Sequence, residues 1–185
     1  MREGDQGSGS PSDAGEVERR IEVLTERLAA LRSEIAKRVI GQEEAVEEVL
    51  LCLLTGGHGL LSGPEIEELK RLVRGVAVSD PMLEYTARLV RSSRPGRPEA
   101  VSATDRWVRW GAGPRAGQAM ILCAKAHALL NGRLHVHPDD LARVAPAALR
   151  HRILLNFQAE SEGRTPDEAV AALLAEVDPP RSGLV

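Results

Sequence analysis

The sequence predicts a mainly α-helical fold with at most short β segments. Aromatic residues make up only 2% of the 185 residues, so the core must be built from Leu, Val, Ala and Ile, which suits helix packing better than a β-sandwich. Apolar residues recur at helical spacing along most of the chain, and several predicted helices begin with proline or a capping residue. This length allows one domain with a real core or two small domains.

The N-terminal part predicts a polar tail followed by two helices. Residues 1–15 are small and polar, and we expect a disordered tail because they bury no apolar area. An apolar seam of a and d type then extends over about three heptads, formed by Val17, Ile21, Leu24, Leu28, Leu31 and Ile35. It is either a helix docked on its own domain or a coiled-coil dimer strip. A second helix is predicted from Gln42 to Leu54, before Gly56-Gly57 and a short strand at 58–61.

From Pro64 onward the sequence predicts a series of helices. Proline at the first helical position marks starts at Pro64, Pro81, Pro114 and Pro138, and the segment 165–168 is a capping box with Thr as the cap. The apolar stripe of the helix beginning at Asp80-Pro81 is predicted to contain Leu83, Thr86, Leu89 and Val90. Both cysteines lie in apolar helical runs, so we expect two buried thiols, Cys52 and Cys123.

Composition and charge argue against several classes of function. The formal net charge of -3 gives no general attraction to nucleic acid or to an anionic membrane. Without an apolar run of membrane-spanning length or an apolar signal core, we expect a soluble cytoplasmic protein. His135 and His137 lack a third ligand at helical spacing, so we predict no metal site.

A locally basic stretch with two tryptophans is the strongest argument for nucleic-acid binding. It contains Arg88, Arg91, Arg94, Arg97, Arg106 and Arg109, together with Trp107 and Trp110. Basic residues with aromatics can grip single-stranded nucleic acid. Because the whole chain is slightly acidic, we interpret the stretch as a solvated loop with tryptophans in the core.

Several segments, taken in order, resemble one known family. The first are 39–46, which begins Val39-Ile40-Gly41-Gln42, and the run of glycine, histidine and leucine at 56–61. Later segments are 76–81, 111–116 with Gly-Ala-Gly-Pro-Arg-Ala, and 149–168, which begins Leu-Arg-His-Arg. The earlier group resembles the opening of a MoxR-family AAA+ ATPase, a family related to chelatase ATPase subunits, and the later group resembles its helical lid.

The resemblance implies a division of the chain into parts. Residues 16–61 would be an N-terminal remnant of the AAA+ core, 62–63 a junction, 64–178 the helical lid domain and 179–185 a flexible tail. The implied fold is an N-terminal helical pair followed by the lid. Between these halves the family carries a phosphate-binding loop and an acidic metal-binding strand, and this sequence has neither.

The resemblance also implies a nucleotide site, with ATP and Mg²⁺ as the family's cofactors. It places Val39, Ile40, Gly41 and Gln42 beside the adenine, and Arg115 at the position called sensor 2, where a guanidinium reaches the outer phosphates. A phosphate-binding loop needs glycines followed by a lysine and a hydroxyl, and the glycines at 56–59 are not followed by them. No apolar strand ends in paired acids that would hold Mg²⁺. We therefore predict no catalytic or metal-binding residues, and no ATP hydrolysis by this chain.

Family membership implies homo-hexameric rings, chaperone-like assembly or cofactor and metal insertion, and partners with von Willebrand factor A domains. For this chain we predict a truncated MoxR-type ATPase without activity. Two alternatives stay open. One is a protein-binding or oligomerisation module that acts through the lid or through the apolar seam at 17–35, and the other is a divergent ATP-binding protein. Whether the junction at Ser62-Gly63 is engineered or natural also stays open.

Overall fold

A computed structural model of the protein describes residues 43–55 and 64–180, together with helical residues at 15, 19, 22–23, 25–27, 29–31 and 33. Its elements are α1 (Glu43–Thr55), α2 (Pro64–Gly75), α3 (Asp80–Ser92), α4 (Ser102–Trp107), β1 (Val108–Trp110), α5 (Pro114–Leu130), α6 (Pro138–Leu149), β2 (Leu154–Leu155), α7 (Phe157–Ser161) and α8 (Pro166–Glu176). The strands β1 and β2 pair antiparallel in a two-stranded sheet. The predicted mainly α fold with short β segments is confirmed.

Helix α5 lies at the centre of the described fold and packs against α6, α3, α1 and α2. Its fully buried side chains are small or flexible and include Ala116, Met120, Ala124 and Ala128. Because an alanine side chain is a single methyl group, the neighbouring helices approach closely and the interior fills without aromatic residues. The low aromatic content of the sequence is thus matched by close helix packing.

Helix α1 is docked on this core. Leu50, Leu51 and Leu54 are at most 8% exposed, and the helix packs against α5 and α2. The sequence places Val49 on the apolar face, but it is 57% exposed. Cys52 is also exposed, so the expectation of a buried thiol is wrong there, because Leu50, Leu51 and Leu54 occupy the buried face. Cys123 is partly buried, and burial raises the pKa of its thiol.

The two tryptophans have different environments. Trp107 packs against the core, with the guanidinium carbon of Arg164 4.6 Å from its ring centroid. Trp110, paired across the ribbon with Leu154, is 66% exposed, so its predicted core position is wrong. The ladder is irregular between Val108 and Trp110, which breaks the simple alternation of inward and outward residues.

Helix α3 buries a different set of side chains from the predicted stripe. Thr86, Leu89 and Val90 are buried as predicted, but Leu83 is 45% exposed. Met82 and Tyr85 take the inward positions instead. Of the apolar seam at 17–35 only Leu31 is described, and its side chain is exposed. Outside the described residues lie the predicted tail at 1–15 apart from Gly15, residues 181–185 of the predicted tail at 179–185, the strand at 58–61 and the junction at 62–63.

The capping box predicted at the start of α8 is present. The backbone N–H of Thr165 donates to Glu168 Oε2 over 2.8 Å, and the N–H of Glu168 donates to Thr165 Oγ1 over 3.3 Å. We expect Thr165→Ala to lower the free energy of unfolding by about 1 kcal/mol, because the N–H of Glu168 loses its partner. Urea denaturation measures this. Thr165→Ser keeps the hydroxyl and serves as the control; equal stability of all three proteins would contradict the prediction.

Candidate functional site

Arg115 lies in the first turn of α5, with Pro114 at the start of the helix and Gly113 as the N-cap. The N-cap makes no side-chain hydrogen bond, and the first turn contains no acidic residue. The Arg115 side chain is exposed and makes no ion pair or hydrogen bond with any residue that the structure describes. A guanidinium at a helix start that carries no acid is suited to an anion, because the fork of donors and the helix dipole both favour negative charge.

The loop that leads into α5 is fixed to the end of α3. The N–H of Ala112 donates to Ser93 Oγ over 2.9 Å, and the Nε–H of Arg94 donates to the carbonyl oxygen of Ala112 over 2.9 Å. Ser93 in turn donates its hydroxyl to the carbonyl oxygen of Val90 over 2.8 Å. Both backbone groups of Ala112 are therefore held, three residues before Arg115, so the start of α5 has a defined position.

Close contact makes Gly111 the most constrained glycine of this loop. A Cβ atom at this position would overlap the carbonyl oxygen of Ser93 and lie 2.7 Å from the Cα of Arg94. These are backbone atoms, so rotation of a side chain cannot relieve the overlap. The glycine lets the loop pass directly against the end of α3.

At the other end of α5 a buried carboxylate joins three segments. Asp140 is fully buried in the first turn of α6 and accepts two hydrogen bonds of 2.6 Å from the guanidinium of Arg133. It also contacts His127 Nδ1 at 2.5 Å and accepts the N–H of His137 over 2.8 Å. Burial acts to raise the pKa of Asp140, but the hydrogen bonds from Arg133, His127 and His137 outweigh burial and hold the pKa well below its usual range.

His127 extends this cluster to α1. Its Nε2 atom lies 3.3 Å from Glu47 Oε1, and the other oxygen of Glu47 accepts a 2.9 Å hydrogen bond from Arg143 of α6. A carboxylate therefore faces each ring nitrogen of His127. The cluster ties α1, α5 and α6 together and leaves no carboxylate oxygen of Asp140 free for chemistry.

The structure brings together only part of the predicted site. Arg115 is placed as described above, whereas Val39, Ile40, Gly41 and Gln42 lie outside the described residues. His135 and His137 contact each other, with 2.8 Å between their Nε2 atoms. Among the described residues no group of three or more His, Cys, Asp or Glu is arranged to hold a metal ion, and no helix is long and apolar enough to cross a membrane.

Neither Asp140 nor His127 was predicted from the sequence as a functional residue. The signal for Asp140 was the acidic third helical position after His137, which predicts a cap but not burial. No local pattern marks His127, because its partners come from other helices.

Residues 101–173 match the family model of the AAA lid domain. The chain is similar to proteins of the MoxR type, as the following relatives show.

The chain is 31% identical over 128 residues to Chaperone MoxR1 of Mycobacterium tuberculosis, a match that covers 68% of this chain and 33% of that protein. It is 33% identical over 112 residues to the uncharacterized protein YeaC of Bacillus subtilis, covering 60% of this chain and 32% of that one. A crystal structure from Cytophaga hutchinsonii, described as that of an ATPase, matches with a TM-score of 0.60 and 30% identity over 63% of this chain and 36% of its own. The chain thus spans about a third of the length of the curated relatives it matches.

Proposed function

We propose that this chain is a lid module of the MoxR type that does not hydrolyse ATP itself and acts by docking on an AAA+ core carried by another polypeptide. The observation that carries the proposal is Arg115, which is exposed at the start of a firmly held helix and has no partner among the described residues. In such a complex the guanidinium would contact the outer phosphates of ATP held by the core. The sequence itself supplies no phosphate-binding loop and no acids for Mg²⁺.

Exposed apolar side chains on the β ribbon and at the start of α7 support docking on a protein. Trp110 and Leu154, paired on the β ribbon, are 66% and 50% exposed, and Phe157 at the start of α7 is 85% exposed. Large exposed apolar side chains are typical of interface centres, and tryptophan is enriched there. The hexameric ring and a von Willebrand factor A partner belong to this proposal as properties of the assembly that the lid would join.

The test is ATP hydrolysis by an intact MoxR-type ATPase with increasing amounts of this chain. We expect the chain alone to show no turnover, and the chain added in excess to change the rate of the intact enzyme by entering its ring. Arg115→Ala should weaken that effect about tenfold, because one charge-assisted contact to phosphate is lost.

Arg97→Ala is the matched control, because Arg97 is exposed, lies outside the β ribbon and also has no described partner for its side chain. Turnover by the chain alone would contradict the non-catalytic role. An unchanged rate at saturating chain, or equal effects of the two arginine variants, would contradict the docking role of Arg115.

A further inference from the structure

An open groove of about 760 Å³ lies between α3 and α5, with Arg74 of α2 at its edge. Its floor is aliphatic and includes Leu83, Ala87, Val90, Gly117, Ile121 and Leu122. Leu83, which points away from the buried face of α3, is 45% exposed. The groove therefore presents apolar surface that the described part of the chain leaves uncovered.

Gly117, the fourth residue of α5, lines the groove and faces α3. A Cβ atom at Gly117 would meet only methyl groups, at 3.4 Å from Val90 Cγ2 and 3.7 Å from Thr86 Cγ2, which are ordinary contacts. Helix packing therefore does not require glycine here, and in a helix interior glycine is less stable than alanine by about 0.5–1 kcal/mol. The effect of the glycine is to leave space between the two helices.

The charged residues that line the groove are all cations: Arg74, Arg91, Arg94 and Lys125. Three of them are held in place. Lys125 donates to the carbonyl oxygen of Arg74, Arg94 donates to that of Ala112, and exposed Arg91 pairs with Glu84 over 2.8 Å. Arg74 is exposed, and its side chain has no described partner. Glu84 offsets one charge, but no carboxylate is among the described lining residues, so the rim is positive in a chain whose net charge is -3.

We propose that this groove binds an acidic amphipathic helix of a partner protein. A helix laid in the groove would place an apolar stripe against the aliphatic floor and carboxylates on its flanks against the cationic rim. Among the described lining residues there is no aromatic side chain, so a nucleic-acid strand would find there a charged rim but no stacking surface. The combination of floor and rim thus favours a protein helix.

The test uses the full chain and a fluorescent helical peptide of about four turns, with leucines at i, i+3, i+4 and i+7 and glutamates on both flanks. A second peptide has the same leucines and lysines in place of the glutamates. We expect saturable binding of the acidic peptide in fluorescence anisotropy, at least about tenfold weaker binding of the basic one, and weakening of the acidic complex as salt is raised.

Two variants locate the binding. Gly117→Leu fills the floor and should abolish binding while the melting temperature stays the same or rises. Arg74→Glu should weaken binding about fivefold or more, whereas Arg97→Glu, the same charge change at an exposed position outside the groove, should not.

Equal affinity for the two peptides, no binding of either, or binding that survives Gly117→Leu would overturn the proposal. Sedimentation velocity tests whether a second copy of the chain occupies the groove. If the chain forms a dimer that Gly117→Leu dissociates, the groove holds a second copy of the chain, and the proposal of an acidic partner helix is wrong.

Discussion

Replacing Asp140 with alanine is expected to lower the free energy of unfolding by about 3–5 kcal/mol. The carboxylate is fully buried and holds the guanidinium of Arg133, the ring of His127 and the N–H of His137. Removing it leaves a partly buried cation and two polar donors without an acceptor. Buried groups without a partner destabilise the folded state far more than the loss of an ion pair on the surface does. Urea denaturation followed by circular dichroism measures the loss.

Asp139→Ala is the matched control, because Asp139 is the adjacent acid in the same first turn and is exposed. Its removal should cost less than about 1 kcal/mol, the usual contribution of a charge near a helix start. If the two alanine variants are equally stable, the cluster does not support the fold as argued.

The same residue predicts a pH dependence. The pKa of Asp140 is lower in the folded protein than in the unfolded chain, so its contribution is complete above the unfolded pKa, about 4. As pH falls below that value, the unfolded chain takes up the proton first and the stabilisation is lost. The stability difference between wild type and Asp140→Asn should therefore be constant from pH 7 to about 5 and shrink below about 4.

Gly111→Ala is the second change with a large expected effect. Its Cβ atom would overlap backbone atoms of Ser93 and Arg94, so the loop or the end of α3 must move. We expect a loss of about 3 kcal/mol in the free energy of unfolding, in the upper part of the range for overpacked sites. Because the displaced loop also leads into α5, the effect of the chain on an intact ATPase should fall as it does for Arg115→Ala.

Gly113→Ala provides the comparison two residues further on. No atom lies within 4 Å of a Cβ at Gly113, so only its preference as an N-cap is lost, at a cost below about 1 kcal/mol. Thermal unfolding of both variants measures the difference between the two losses of stability. Similar melting temperatures would show that the contact between the loop and α3 is not tight.

Helix starts were predictable from the sequence because their causes are local. Proline at the first position and the Thr165 capping box act within a few residues, and the structure has these starts where they were predicted. The rotation of each helix was harder to predict, because it depends on neighbours far away in the sequence. Cys52, Leu83 and Trp110 fit an apolar pattern yet are exposed, since other side chains take the inward positions.

In the candidate site, too, the local features could be predicted and the long-range contacts could not. Arg115 could be assigned from the glycine and proline residues around it, because a family motif and a helix start coincide there. The contacts of Asp140 join residues seven and thirteen positions apart on separate segments, and Glu47 comes from still further away. No periodicity in the sequence relates such positions, so this cluster could be found only from the fold.

Helix α5 carries Arg115 in its first turn and His127 in its last, a separation of roughly 18 Å at 1.5 Å per residue. It also forms one wall of the groove between them. Because one continuous helix carries the arginine, the groove wall and His127, a shift of α5 along its axis would move all three together. The helix thus fixes the spacing between Arg115 and the buried cluster.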